Sequence, residues 1–112
     1  MAPNRRSAWL RGTLDLLVLA ALVDRERYGY ELAQRLESRG LGRVKGGTLY
    51  PLLARLETAG LVAATWRSGE HGPGRRYYAL TAVGRMFLEE EGRSWLRFDD
   101  AVRSMLEQGG IR

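Results

Sequence analysis

KGGTLYPLLARLETAGLVAATWR, residues 45–67, decides the fold, because the period of its apolar residues changes partway along. Leu49, Leu52, Leu53 and Leu56 fall at i, i+3, i+4 and i+7, which puts four leucines on one face of a helix. Pro51 lacks a backbone N–H and is tolerated in the first turn of a helix, so the helix is predicted to begin near Gly47 or Thr48. Gly60 ends it. From Leu61 to Arg67 the residues become β-branched and aromatic, and after SGEHGPG (68–74) a second such run, RRYYAL, occupies residues 75–80. Two strand-like runs around a seven-residue loop of turn formers predict a hairpin.

Upstream, Ser7 is placed to cap a first helix on which Leu10, Leu14, Leu17, Val18, Ala21 and Leu22 keep the helical rhythm. Leu16, Leu19, Ala20 and Val23 give that helix a second apolar face, to be covered by the core or by another chain. Tyr28 and Gly29 open a second helix with Leu32, Ala33 and Leu36 on one face, and Gly40 and Gly42 end it. Downstream, Thr81 caps a long helix reaching about Gln108, at Gly109 and Gly110. At ~1.5 Å per residue this helix is about 40 Å long, more than so small a body covers by itself. Leu88, Gly92, Trp95, Asp99, Val102 and Leu106 form a seam with alternating steps of four and three, as in paired helices.

The resulting fold class is mainly α with a small β-hairpin (α+β): three helices, a wing and a long C-terminal helix. Residues 7–80 are read as a winged helix-turn-helix domain and residues 81–108 as a dimerisation helix. In such a fold the third helix enters the DNA major groove and the wing reaches the adjacent backbone or minor groove. With its leucines turned inward, the third helix presents Thr48, Tyr50, Pro51, Ala54, Arg55 and Thr58. Lys45 and Thr48 stand at its N-terminus, where the helix dipole favours a phosphate. Tyr50 and Arg55 are the candidates for groove contact, and Arg75 and Arg76 place two cations beside the wing tip. Tyr78 is assigned to the core.

Charge agrees with this reading. The 112 residues carry a formal charge of +5 and a pI of about 10.2, almost wholly through arginine, Lys45 being the only lysine. Guanidinium groups stay ionised and match phosphates and guanine edges, which fits a polyanionic partner. The chain has no cysteine, which excludes disulfides, thiolate zinc sites and cysteine nucleophiles. Residues 1–6 show no signal-peptide pattern, and the longest apolar run, residues 16–23, is far below the ~20 residues that span a bilayer, so a cytoplasmic, non-membrane protein is expected.

Catalytic readings lack partners. His71 is the only histidine and falls in the hairpin loop, without a second ligand for a metal or an orienting acid for a nucleophile. Glu89, Glu90 and Glu91 point to different helix faces, as on a solvated surface. Lys45-Gly46-Gly47-Thr48 lacks the preceding glycine of a Walker loop. No enzyme, no metal and no cofactor are expected.

In order along the chain, Leu10-Arg11-Gly12-Thr13-Leu14, Tyr28-Gly29-Tyr30-Glu31-Leu32, residues 47–53, residues 56–62, residues 74–81 and Gly84-Arg85 resemble the PadR family of transcriptional regulators. The resemblance runs from about Leu10 to Leu106. It implies a homodimeric winged-helix protein, usually a repressor bound to double-stranded DNA at an operator of inverted symmetry, and the single C-terminal helix resembles the family's small subfamily. The matching DNA-contact positions are Tyr28, Tyr30, Thr48, Tyr50, Arg75 and Arg76. In some small members the dimer encloses an aromatic-lined pore for flat hydrophobic aromatic effectors. Trp95 and Asp99 match its lining, with Leu14, Asp15 and Val18 as contributors from the first helix. The alternative for Trp95 is a plain dimer anchor, beside Leu88, Val102 and Leu106 of the same interface. Two rival functions stay open: a winged-helix protein-protein interaction module, which would lack groove-facing cations, and a non-specific nucleic-acid binder, which would not prefer inverted repeats.

Overall fold

The structure is a computed structural model that describes residues 5–69 and 72–112. Its elements are α1 (Arg5–Ala20), β1 (Arg27–Tyr28), α2 (Gly29–Ser38), α3 (Gly46–Thr58), β2 (Val62–Gly69), β3 (Gly72–Leu80) and α4 (Ala82–Gln108). Leu14, Val18 and Leu19 of α1, Leu32 and Leu36 of α2, and Leu49, Leu52, Leu53 and Leu56 of α3 close on one core, with Val62 and Tyr78 of the sheet beneath them. Beyond residue 45 the chain forms a helix and then a strand, as the change of period predicts. No helix among the described residues is long and apolar enough to cross a membrane.

Three local boundaries differ from the sequence reading. Helix α1 starts at Arg5, so Ser7 lies within it rather than capping it, and Arg6 ties this end to the body by donating to the Gly40 carbonyl at 2.6 Å. Helix α3 starts at Gly46 with Lys45 as N-cap, and the N–H groups of Thr48 and Leu49 both donate to the Lys45 carbonyl at 3.0 Å. Pro51 therefore sits one or two residues deeper than expected, past the first turn rather than within it, and removes one intrahelical bond. The carbonyl left over belongs to Gly47, an exposed residue, where solvent has access to it. The hairpin is also longer than a seven-residue loop allows: pairing runs to Arg67↔Arg75, shifts register, and resumes at Gly69↔Gly72. Glu70 and His71 lie outside the described residues, as do residues 1–4, so the loop assignment of His71 and the reading of the extreme N-terminus fall there.

The sheet has a third strand that the sequence reading missed. Arg27 and Tyr28 pair with Tyr78 and Tyr77, giving the order β1-β3-β2. Arg27 is the one buried charged residue of the described chain; its guanidinium donates to the Ala21 carbonyl and to both oxygens of Asp24, at 2.6 and 3.3 Å. Those bonds satisfy a charge that burial would otherwise penalise heavily. They also hold the link between α1 and β1 in place.

One motif closes both helices of the helix-turn-helix. After α2 the N–H of Leu41 returns to the Leu36 carbonyl, and after α3 that of Leu61 returns to Leu56. Gly40 and Gly60 take the required positive φ, +79° and +78°. Helix α4 begins as predicted: the Thr81 hydroxyl accepts from the Gly84 N–H at 2.9 Å while donating toward the Gly60 and Leu61 carbonyls. Gly84 is buried so tightly that a Cβ there would overlap the Leu61 carbonyl oxygen. Beyond Phe87 and Leu88, which rest against the core, α4 borders α1 across a groove as far as Phe98 and then projects from the body, and the molecule is 55 Å long.

Two outcomes are expected. Gly84→Ala gains about 1 kcal/mol of helix propensity but drives a methyl into backbone that cannot step aside, so a net loss of about 2 kcal/mol should appear as a lower urea midpoint at unchanged slope. Arg27 holds the Asp24 carboxyl at about 2, below its ordinary 3.8, chiefly through their hydrogen bond. A depressed folded-state value contributes stability that is whole above the unfolded value and is lost as pH falls through the folded one. Unfolding curves between pH 4 and pH 2 should therefore show an acid loss that Asp24→Asn removes.

Candidate nucleic-acid interface

The exposed side of α3 is bounded by its four core leucines and consists of Lys45, Gly47, Thr48, Tyr50, Pro51, Ala54, Arg55 and Thr58. Tyr50 leans toward α2: a Cβ on Gly29 would come within 2.5 Å of its hydroxyl, so the bare glycine at the start of α2 is what lets the phenol lie there. Thr48 and Arg55 lean the other way, toward α1, and share a cleft of about 290 Å³ with Arg11 and Asp15. Lys45, Arg55 and Arg11 form no ion pair among the described residues. Arg11 was missed in the sequence because it lies 44 positions from Arg55; only the α1–α3 packing brings them together.

On one flank of this surface stands the wing, and its two arginines part company. Residues 75 and 76 are consecutive in a strand and so point to opposite faces. Arg76 faces α3, where its guanidinium donates to both carboxylate oxygens of Glu57, at 2.8 and 2.7 Å. Arg75 faces outward and lies 4.6 Å from the centre of the Tyr28 ring. Tyr28 meets the edge of Tyr77 at 5.3 Å and stacks on Tyr30 at 6.4 Å, while Arg67 lies 4.8 Å over Tyr77 and pairs with Glu26. The N–H of Tyr28 is held by Glu31 at 3.2 Å, so this ladder of rings and cations is anchored to the first turn of α2. Tyr30 is exposed and its hydroxyl accepts from Gln34 at 3.0 Å. Tyr78 is buried as expected, and burial pushes its phenol up.

Helix α4 and α1 bound a second concavity, about 380 Å³, lined by Asp15, Leu16, Phe87, Glu91, Trp95 and Phe98 among others. Of the residues expected to line a pore, Asp15 and Trp95 face it. Val18 is fully buried and Leu14 nearly so, both committed to the core, and Asp99 is turned to Arg103 at 3.2 Å. Phe98 and Leu16 were missed as lining, because the apolar residues of α1 point in several directions and its sequence does not say which of them meet α4. Of the expected interface residues, Leu88 packs on this chain's own core, whereas Trp95, Val102 and Leu106 are exposed together with Leu96, Phe98 and Met105.

Three helices, a hairpin wing and an uncovered polar helix face ringed by cations define a winged helix-turn-helix protein of the DNA-binding class. Residues 18–90 match the PadR-like family of transcriptional regulators, and the chain belongs to that family. A transcriptional regulator of Mycobacterium tuberculosis is 40% identical over 84 residues, 75% of this chain and 77% of that one. Among solved structures, a PadR family regulator from Eggerthella lenta is 39% identical with a TM-score of 0.79, over 90% of this chain and 88% of the other. A PadR-like regulator from Bacillus cereus is 35% identical with a TM-score of 0.79, over 88% and 96%.

The Glu57 carboxylate compensates one of the wing's cations on the side turned to α3. Arg76 is half exposed and Glu57 about one-third exposed (52% and 35%), so the pair adds little to stability and acts mainly on the local potential. Glu57→Gln should strengthen binding to duplexes of any sequence at low salt and steepen the salt dependence by up to about one unit of slope. Fluorescence anisotropy titrations at several salt concentrations read both; an unchanged slope would show that Arg76 meets no phosphate.

Proposed function

We propose that two copies pair along α4 and act as a sequence-specific repressor of PadR type. The two α3 helices then enter successive major grooves of an inverted-repeat operator, about 34 Å apart. Lys45, Thr48, Tyr50 and Arg55 supply contacts from α3, Tyr28 and Tyr30 from the start of α2, and Arg75 and Arg76 from the wing. The observation that carries the dimer is the far half of α4, where Trp95, Phe98, Val102, Met105 and Leu106 are all exposed in a single chain. Apolar side chains recurring along a helix with nothing over them are what a partner helix covers.

Pairing along α4 also converts the α1–α4 groove into a chamber shared by two chains. Trp95, Phe98 and Phe87 give it aromatic walls suited to a flat hydrophobic effector, and Asp15 and Glu91 give it acceptors. Such a ligand releases the operator only in so far as it binds one spacing of the two reading helices better than another. The division into a reading unit, residues 7–80, and a pairing helix, residues 81–108, belongs to the same proposal.

The test has two arms. Sedimentation should find the wild-type protein dimeric and Trp95→Glu monomeric or loosened. Selection of duplexes from a random pool should enrich a palindrome, less so when planar aromatic compounds are added. A monomeric wild type, or a pool that stays random at physiological salt, refutes the reading in favour of a protein-binding module or a non-specific binder.

A further inference from the structure

Trp66 is the largest exposed side chain of the wing, 66% exposed, and none of the contacts assigned to the wing uses it. It stands on β2 directly across from Arg76, hence on the sheet face where Arg76 meets Glu57 of α3. Its position is built into the hairpin. A Cβ on Gly74 would lie 2.5 Å from the indole Nε1 and Cε2, so the ring rests against β3 backbone that only glycine leaves bare. Ala64 and Tyr78, the next pair toward the body on this face, are where the core ends. Toward the tip the described residues are the small Ser68, Gly69 and Gly72, and Pro73.

The described residues of β2 and β3 carry Arg67, Arg75 and Arg76 and no acid. An indole beside the Arg76 guanidinium, with Arg67 and Arg75 on the opposite face of a thin two-stranded projection next to a helix of the DNA-reading kind, matches the chemistry of a minor groove. That groove has anionic rims, apolar deoxyribose walls and base-edge acceptors for an N–H donor. A protein partner would be met by the apolar half of the match alone.

We propose that Trp66 enters the minor groove beside the segment occupied by α3 and there discriminates between A·T and G·C pairs. The inference rests on the reading of the chain as a duplex-DNA regulator and adds to it a specificity-determining residue on the wing. The indole acts by packing and one N–H, without charge. Its removal therefore leaves the electrostatic part of binding in place.

The experiment uses the full chain and a duplex whose central palindrome has been selected and whose flanks are randomised. Trp66→Ala should bind that duplex roughly ten-fold more weakly, with an unchanged salt slope, a flattened preference in the flanks, and lost hydroxyl-radical protection of the flanking sugars. Gly74→Ala keeps the indole but displaces it from its seat, and should lose the same preference and protection. It decides the matter if Trp66→Ala fails to fold. Wild-type affinity and flank protection in a folded Trp66→Ala or Gly74→Ala protein overturns the proposal while leaving the palindrome reading intact; absence of any selected palindrome in the wild type overturns both.

Discussion

The Leu61 carbonyl is the point on which the architecture turns. It lies three residues beyond α3, receives the Thr81 backbone N–H at 3.1 Å and rests against the naked Cα of Gly84. One step further, Val62 pairs with Leu80, the first rung of the wing. The end of α3, the root of the hairpin and the start of α4 therefore share a knot a few residues wide. Overpacking costs of about 1–3 kcal/mol for a single methyl make such a contact a stiff constraint. Among the described residues nothing as tight joins α4 to the body further along, where Phe87 and Leu88 pack on the core and Glu91, Trp95 and Phe98 border the α1 groove.

The outer face of the sheet is arranged by weaker forces that agree in direction. Arg75 over Tyr28, Tyr28 against Tyr77, and Arg67 over Tyr77 are each worth about 0.5–1 kcal/mol at an exposed site. Together they orient the wing against the first turn of α2 more than they stabilise the fold. Arg76, on the other face, is oriented by Glu57 of α3. The wing is thus referred to both helices of the helix-turn-helix, one through each of its faces.

How far the sequence could be read depends on how long each signal is. Helices α3 and α4 keep their period over several turns and carry legible ends, Gly60 for one and Thr81 for the other, so their place and their inward faces were open to view. Strand β1 is two residues long and has no period to recognise; its existence depends on Tyr77 and Tyr78 across the sheet. The burial of Arg27 was hidden for the same reason, since its acceptor, the Ala21 carbonyl, carries no side-chain signature. That Arg75 and Arg76 serve opposite faces was available from the alternation of a strand. The division of α1 between core and groove was not, because its apolar residues point in several directions, and only packing assigns Leu14 and Val18 to one side and Asp15 and Leu16 to the other.

A rod held at one end magnifies what happens at its hinge. Helix α4 is clamped at Thr81 and Gly84 and extends for 27 residues, about 40 Å. A rotation of about 5° at the clamp displaces its far tip by roughly 3 Å over that length, comparable to the rise between stacked base pairs. The small glycine contact at the base of this helix is thereby a gauge, converting sub-ångström adjustments near the core into distances on the scale by which a duplex is measured.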